Sequence, residues 1–250
     1  MKIILTGATG AAGLKILRTA ISDPSIQHIS VLSRRPLPPS IPESPKVSQI
    51  LHTDFLSYSP ELLSRLSGHG ACIWALGCSS VGMKEDEYFR ITHDYPVEAF
   101  RAFNEAGLRG EDGKFRFVFV SGDGADETGK SKVMFSRIKG KTETDLVAYA
   151  STSSPDSLSV YNLRPGYFYP SDPEDAKSVR PFKMRLIHSV LTPVLKVAFP
   201  AIPIKIEDLA AFSLLAGKGY FEPQTYSNAR IKELIKKWRD SSKAIASETT

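Results

Sequence analysis

Short apolar runs alternate along the chain with segments in which apolar residues recur at helical spacing. The runs predict strands at residues 2–6, 28–33, 47–51, 71–76, 115–120 and 159–163. The run at 71–76 is continuously apolar, which is typical of a strand buried on both faces. The segments between them predict helices after Gly13, at 61–66, at about 88–106 with an interruption at Pro96, and at 133–149.

The alternation weakens after residue 166. Residues 182–199 mix basic and apolar side chains around Pro193 and predict two short helices. Residues 202–206 are compatible with a strand, Glu207 and Asp208 open a helix through 216, and a final helix starts near Asn228. We interpret 182–199 as a lid over a substrate or as a subunit contact, with a membrane-surface helix as the weaker alternative.

Strands that alternate with helices predict an α/β fold: a doubly wound parallel sheet, Rossmann-like, with a small C-terminal helical substrate region. We expect one domain over 1–250, with a core at about 1–165 and a substrate or lid region at about 166–240. Ligands of such sheets bind outside the carboxyl ends of the strands. The loops after the six predicted strands should therefore form one continuous site.

The first strand runs directly into glycines at fixed spacing, Gly-x-x-Gly-x-x-Gly, followed by an amphipathic helix. In this context the motif predicts a dinucleotide site, because glycines let backbone N–H groups approach a pyrophosphate at the helix N-terminus. The residues expected to contact the cofactor here are Gly7, Thr9, Gly10, Ala11, Ala12 and Gly13.

The end of the second strand indicates which cofactor binds. A carboxylate there would bind the adenosine ribose hydroxyls, but this chain has Ser33, Arg34 and Arg35. Because guanidinium groups bind phosphate well, we expect NADP(H) rather than NAD(H), with at least one of the two arginines merely solvated. Asp54, after the third strand, could accept a hydrogen bond from the adenine amino group; capping a turn is almost as plausible a role.

Composition narrows the class of protein. The formal charge is +5 and the isoelectric point is near 9.1, but the basic residues are scattered, which argues against a nucleic-acid partner. Cys72 and Cys78 lack metal-ligand spacing, and we expect a buried and a loop cysteine, both reduced, with no metal site. Glycines interrupt the N-terminal apolar run too early for a signal peptide, and no stretch is long enough to span a membrane. These features favour a cytoplasmic monomer or homodimer without membrane insertion.

Several motifs resemble the atypical short-chain dehydrogenases/reductases, and most of all the branch of the Tat-interacting-protein oxidoreductases and their fungal relatives. The resemblance covers about residues 1–170, with a weaker match at residues 206–210. Its motifs are TGATGAAG at 6–13, SRRP at 33–36, ALG at 75–77, VSGDGAD at 120–126, IKGKTE at 138–143 and LRPG at 163–166.

The resemblance implies a catalytic pair, Ser121 and Lys139, with Lys139 also holding the cofactor ribose. It further implies cofactor contacts from Leu76 and Gly77, and from Pro165 and Gly166 at the nicotinamide end. In the family a tyrosine four residues before the lysine supplies a proton, since residues four apart share one helix face. Phe135 occupies that position here.

Three hypotheses follow from Phe135. Another group could give the proton in an oxidoreductase acting on an apolar carbonyl or enone. Alternatively, the protein binds NADP(H) as a regulator or redox sensor without turnover, or it catalyses a non-redox isomerisation or cyclisation. The candidate donors are Ser121, Ser136, Tyr88, Tyr95, Tyr167 and Tyr169. The aromatic residues of the C-terminal third suggest a small apolar organic substrate; these are Phe168, Tyr169, Phe182 and Phe199.

Overall fold

A seven-stranded, wholly parallel sheet forms the centre of the protein, for which a computed structural model describes residues 1–179 and 182–248. The strand order is β3-β2-β1-β4-β5-β6-β7. The strands are β1 Lys2–Thr6, β2 His28–Ser33, β3 Val47–Leu51, β4 Ala71–Trp74, β5 Phe115–Val120, β6 Leu158–Arg164 and β7 Thr225–Ser227. Because the order reverses between β1 and β4, a crevice opens at the carboxyl end of β1.

Helices cover both faces of this sheet. They are α1 Ala11–Ser22, α2 Pro60–Arg65, α3 Glu85–Phe89, α4 Tyr95–Glu105, α5 Met134–Ser153, α6 Pro173–Val179, α7 Phe182–Ala198, α8 Ile206–Gly217 and α9 Asn228–Glu248. A π-helical turn, Arg90–Asp94, joins α3 to α4. The doubly wound Rossmann-like fold predicted from the alternation of elements is confirmed.

Each face of the sheet has its own apolar core. Side chains alternate along β1, so Ile3 and Leu5 pack on the face of α1, α8 and α9, while Ile4 packs on the face of α2 and α4. All three are at most 1% exposed. The second core is rich in aromatic rings, among them Phe100 and Phe117, whose ring centroids lie 4.8 Å apart.

Two predicted element boundaries need correction. The strand predicted at 71–76 ends at Trp74, because Leu76 turns its N–H to the Thr6 hydroxyl (3.3 Å) instead of a neighbouring strand. The helix predicted from 88 begins at Glu85, where three acidic residues occupy the first turn and favour the helix N-terminus.

The C-terminal third also differs from its pattern. Residues 182–198 form one helix through Pro193 instead of two, since the exposed proline removes only one backbone hydrogen bond from the helix. Residues 202–206 form no strand beyond a single bridge from Pro203 to Tyr167, because β7 already occupies the outer edge of β6. The three-residue β7 is too short to give a sequence pattern.

Helix α8 ties the C-terminal third to the core. It packs against α1, and its Leu209, Phe212 and Leu215 belong to the same buried cluster as Leu5. Arg18 of α1 pairs with the 4%-exposed Asp175 of α6 at 2.7 Å. The substrate or lid role of this region stays a prediction.

Candidate cofactor cleft and active site

The glycine turn between β1 and α1 has room only for glycine at two positions. Gly7 has φ +71°, and a Cβ there would lie 2.3 Å from the Ala75 carbonyl oxygen. A Cβ on Gly13 would lie 2.2 Å from the Gly7 carbonyl oxygen. Only glycine therefore fits at these two positions, where backbone atoms of the turn, of α1 and of Ala75 approach one another closely.

The N-terminus of α1 leaves its first N–H groups available. Gly10 is the N-cap; no side chain caps the helix, and no acidic residue lies in its first turn. The Gly10 N–H itself closes the turn on the Gly7 carbonyl at 2.8 Å. Ala11 and Ala12 thus begin a helix whose free donors and dipole suit an anion.

A cavity of about 530 Å³ opens above this turn. Its walls come from the exits of β1, β2 and β4 and from one residue of α6. The lining residues are Gly7, Thr9, Gly10, Leu32, Ser33, Arg34, Arg35, Ala75, Leu76, Gly77 and Val179. The structure thus brings together most residues that the sequence proposes for the adenosine and pyrophosphate end of a cofactor.

The arginines at the end of β2 are presented by a fixed turn. Both Arg34 and Arg35 are exposed, and neither forms an ion pair with a residue that the structure describes. Gln49 of β3 holds the turn: its Nε2 donates to Ser33 Oγ at 2.7 Å and to the Arg35 carbonyl at 2.9 Å. Sequence reasoning missed Gln49, although an amide in the middle of a strand was an available signal.

Asp54 lies outside this cavity. Its Oδ1 accepts the Leu56 N–H at 3.0 Å, and the residue lines a separate pocket of about 390 Å³ beside α2. The turn-capping role that the sequence left open is the one that this geometry displays. A contact from Asp54 to adenine stays a prediction.

The exit of β5 and the second turn of α5 place Ser121 and Lys139 side by side. Lys139 Nζ donates to the Ser121 carbonyl oxygen at 2.6 Å. The Ser121 side chain is buried, and its Oγ has no hydrogen-bond partner among the described residues. Burial lowers the pKa of Lys139 to about 8, against the opposing effect of the Glu143 carboxylate.

Phe135 lies one turn before Lys139 on α5, as the spacing predicts. A Cβ on Gly124 would lie 3.6 Å from Phe135 Cζ, so the tip of the ring faces the loop after β5. A tyrosine hydroxyl would emerge at this tip. The chain therefore presents a hydrocarbon edge at this point; that Phe135 stands where the resembling enzymes have a proton-donating tyrosine stays a prediction.

The other candidate donors lie in different surroundings. Ser136 is buried on α5, and Tyr88 is 1% exposed on α3. Tyr95 packs against the aromatic core, whereas Tyr167 and Tyr169 line a cavity of the C-terminal region. These placements separate the candidates by location, and the identity of the donor stays open.

A buried ion pair holds α5 against the end of β6. Glu143 is 1% exposed and accepts from Arg164 Nε at 3.0 and 3.1 Å. Arg164 also reaches Glu127 at 2.5 Å, and the Glu143 carboxylate raises the pKa of this guanidinium. Sequence reasoning assigned no partner to either member of the buried pair, although it orients the helix that carries Lys139.

Pro165 and Gly166 form a tight turn beside the Ser121 loop. The Pro165 carbonyl accepts the Asp123 N–H at 2.9 Å, and the Gly166 N–H donates to Asn228 Oδ1 at 2.9 Å. A Cβ on Gly166 would lie 2.0 Å from the Ile202 carbonyl oxygen. Contacts from this turn to a cofactor stay predictions.

A second cavity, of about 650 Å³, begins immediately after this turn. Among the described residues, none lines both this cavity and the cofactor cleft. Its walls are Tyr167, Phe168, Tyr169, Pro170, Ser171, Thr192, Pro200, Pro203, Ile204, Lys205, Ile206, Glu207, Asp208 and Lys232. Of the four aromatic residues expected around a substrate, Phe168 and Tyr169 line it; Phe199 is 56% exposed outside it, and the Phe182 side chain lies outside the described residues.

In residues 1–179 and 182–248, no cluster of His, Cys, Asp and Glu has a metal-binding arrangement. No helix in that part of the chain is long and apolar enough to cross a membrane. Cys72 is buried on β4 and Cys78 is exposed in the following loop, where the sequence placed them.

No family model matches the chain, but relatives and solved structures do. The chain is 40% identical over 128 residues to leucinostatins biosynthesis cluster protein T of Purpureocillium lilacinum, covering 51% of this chain and 45% of that protein. It is 32% identical over 149 residues to protein fmp52, mitochondrial, of Emericella nidulans, covering 58% and 60%. The match thus spans about half of the length of these curated relatives.

The solved structures extend the comparison to the whole fold. A short-chain dehydrogenase of Burkholderia cenocepacia, in complex with NADP, matches with a TM-score of 0.64 at 14% identity and covers 99% of this chain and 96% of that one. The Bordetella bronchiseptica enzyme WbmF, in complex with NAD+, matches with a TM-score of 0.64 at 12% identity, covering 91% and 72%. The resemblance predicted from the motifs is confirmed at the level of the fold: the chain has the Rossmann-like fold of these solved short-chain dehydrogenase/reductase structures, and its sequence relatives include fungal Fmp52-like proteins.

The predicted compartment is wrong. Relatives from Emericella nidulans, Debaryomyces hansenii and Coccidioides immitis are all named mitochondrial, which contradicts the cytoplasmic prediction. The sequence argument rested on the missing signal peptide and membrane span, and neither feature bears on import into mitochondria.

Proposed function

We propose that this chain, which has the Rossmann-like fold of short-chain dehydrogenases/reductases, binds NADP(H) and acts as an oxidoreductase on an apolar carbonyl or enone. The observation that carries the proposal is the cleft above the glycine turn, which is bordered by two exposed arginines and by no carboxylate at the end of β2. The fold of the matched structures, two of which hold NADP or NAD+, supports a nicotinamide cofactor.

The residues present fit such a cofactor on three counts. A Cβ at Gly7 or Gly13 would fill the turn, so glycine at these positions lets a cofactor approach the backbone closely. The uncapped N-terminus of α1 offers donors to a pyrophosphate. Arg34 and Arg35 would hold the 2′-phosphate, because guanidinium groups form paired, charge-assisted hydrogen bonds to phosphate oxygens.

The chemistry that bound NADP(H) supplies is hydride transfer to or from a carbon atom. This chain contributes the polar environment around the reacting carbonyl. The Ser121 Oγ, which is buried and has no hydrogen-bond partner among the described residues, would donate a hydrogen bond to the substrate oxygen and polarise it. Lys139, whose pKa is about 8, is mostly an ammonium at neutral pH and stabilises negative charge beside Ser121.

A second candidate function follows from Phe135. Its ring carries no proton, and losing one general acid typically slows a reaction by about 10²- to 10⁴-fold. A protein with an intact cofactor cleft and a weakened proton donor suits a cofactor-binding regulator or redox sensor. A non-redox isomerase or cyclase that retains its cofactor as a scaffold is a third reading on the same grounds.

Cofactor titration tests the binding half of the proposal. Fluorescence titration should show tighter binding of NADPH than of NADH. Replacing both arginines (Arg34→Ser with Arg35→Ser) should weaken NADPH binding by about 10- to 100-fold and leave NADH unchanged. Arg65→Ser, at the exposed end of α2 outside the cleft, is the matched control. Equal affinity of the wild type for the two cofactors would refute the arginine assignment.

Turnover tests the other half. NADPH oxidation over a panel of apolar aldehydes, ketones and enones should be measurable, should fall in Lys139→Ala, and should rise in Phe135→Tyr. A wild type that binds NADPH but shows no turnover, beside an active Phe135→Tyr variant, would favour the regulator or isomerase.

A further inference from the structure

We infer that the C-terminal cavity binds an amphipathic carboxylate, with the apolar body against aromatic and proline side chains and the carboxylate on Lys205. The inference rests on the proposed function, because it takes this cavity as the place of the substrate and then names the substrate's chemical class. The cavity starts at Tyr167, directly after the Pro165–Gly166 turn that lies beside the Ser121 loop.

The body of the cavity is apolar. Phe168 and Tyr169 contribute rings, and Ile204 and Ile206, which are 5% and 2% exposed, contribute aliphatic surface from the start of α8. The Tyr167 hydroxyl is engaged with Thr192 Oγ1 at 2.9 Å, so its ring is the surface that it offers. Such walls bind a ligand mainly by removing apolar surface from water.

The carboxylates at the cavity wall already have partners. Glu207 pairs with Lys15 at 3.2 Å and accepts a hydrogen bond from Ser171. Asp208 pairs with Arg239. Neither carboxylate is therefore available to attract a cationic ligand.

The two lysines of the wall are not neutralised in this way. Lys205 is exposed, and its ammonium forms no ion pair or hydrogen bond with a residue of the described ranges. Lys232 Nζ donates to the carbonyls of Pro200 at 3.0 Å and Pro203 at 3.2 Å, which orients the ammonium but leaves its charge uncompensated. Two cations beside an apolar cavity, with both carboxylates paired elsewhere, select an anionic group on an apolar body.

Three probes with the same chain length test this selection. Calorimetric titration of the protein with decanoate, decan-1-ol and decylamine, each with and without NADPH, measures the effect of the head group alone. Decanoate should bind about 3- to 10-fold more tightly than decan-1-ol, as expected for a partly exposed charge pair, and decylamine should bind most weakly. Lys205→Gln should reduce the preference for decanoate, because only the Lys232 charge then remains at the wall, without changing the affinity for decan-1-ol.

Lys236→Gln is the matched control, since it removes the same charge from an exposed position of α9 outside the cavity and should change nothing. The inference is overturned if none of the probes binds, if decan-1-ol binds as tightly as decanoate, or if Lys205→Gln weakens all three probes alike. NADPH titration of the same samples separates the two proposals. NADPH binding without decanoate binding refutes only the cavity assignment, whereas decanoate binding without NADPH binding refutes only the cofactor assignment.

Discussion

Replacing Gly13 by alanine tests the geometry on which the cofactor cleft depends. The added Cβ would meet three backbone atoms: the Gly7 carbonyl oxygen at 2.2 Å, the Gly7 carbonyl carbon at 2.5 Å and the Ala8 nitrogen at 2.8 Å. Ordinary contacts of a Cβ begin near 3.4 Å, so α1 must shift away from β1 by roughly 1 Å. Overpacking of this kind costs about 1–3 kcal/mol of unfolding free energy.

The same shift moves the donors at the start of α1. We expect the unfolding temperature to fall by roughly 3–10 °C for a chain of this size. NADPH affinity should fall by about 10-fold or more, because charge-assisted hydrogen bonds to the pyrophosphate lose their alignment. Thermal unfolding and fluorescence titration of the purified variant measure the two effects separately.

Two glycines of the same cleft provide matched controls. A Cβ on Gly10 would lie 3.4 Å from the Gly7 oxygen, and a Cβ on Gly77 would meet nothing within 4 Å. Gly10→Ala should therefore cost little stability, and Gly77→Ala should leave the unfolding temperature unchanged. A Gly13→Ala variant that unfolds within about 2 °C of the wild type and binds NADPH equally well would refute the argument.

Three further outcomes are expected. NADPH binding near pH 8 should take up a proton, because a nearby anion raises the pKa of Lys139 from about 8. Calorimetry in two buffers of different ionisation enthalpy should detect the uptake, and Lys139→Met should abolish it. Burial lowers the pKa of His69 from 6.5 to about 4, so the unfolded state binds more protons than the folded state between pH 6.5 and 4. The unfolding free energy should therefore fall by up to about 3 kcal/mol as the pH drops through this range. In urea titrations at pH 7 and 4.5, His69→Gln should lose less stability than the wild type. Glu143→Gln, which removes the buried partner of Arg164, should cost about 3 kcal/mol in urea unfolding, whereas the exposed Lys141→Gln should cost no more than about 0.5 kcal/mol.

The strands and the glycine turn could be predicted because their signals are local. Five of the six predicted strands overlap the observed ones to within one residue at either end, since alternating or continuous apolar runs report burial directly. Gly7 and Gly13 could be recognised because a strand, a turn and a helix follow one another without interruption. The lengths of β7 and α7 could not be predicted, because three residues give no period and a proline suggests a break.

The supports of the site depend on residues far apart in sequence. Gln49 fixes the arginine turn from a neighbouring strand, and Arg164 fixes α5 from the end of β6. Nothing in either local pattern names its partner, since the pairing exists only once the sheet has formed. The C-terminal cavity is of the same kind, because its walls combine the exit of β6 with the residues that lead into α8.

Helix α8 serves two purposes within a few residues. Ile206 at its start lines the cavity, and Leu209 and Phe212, within the next two turns, are fully buried in the core beneath α1. Substitutions that reshape this wall therefore also lower the unfolding free energy of the protein. A lineage that changes its ligand here should vary first at the exposed rim of the cavity, such as Lys205. It should need compensating stabilisation elsewhere before it alters the buried Ile204 and Ile206.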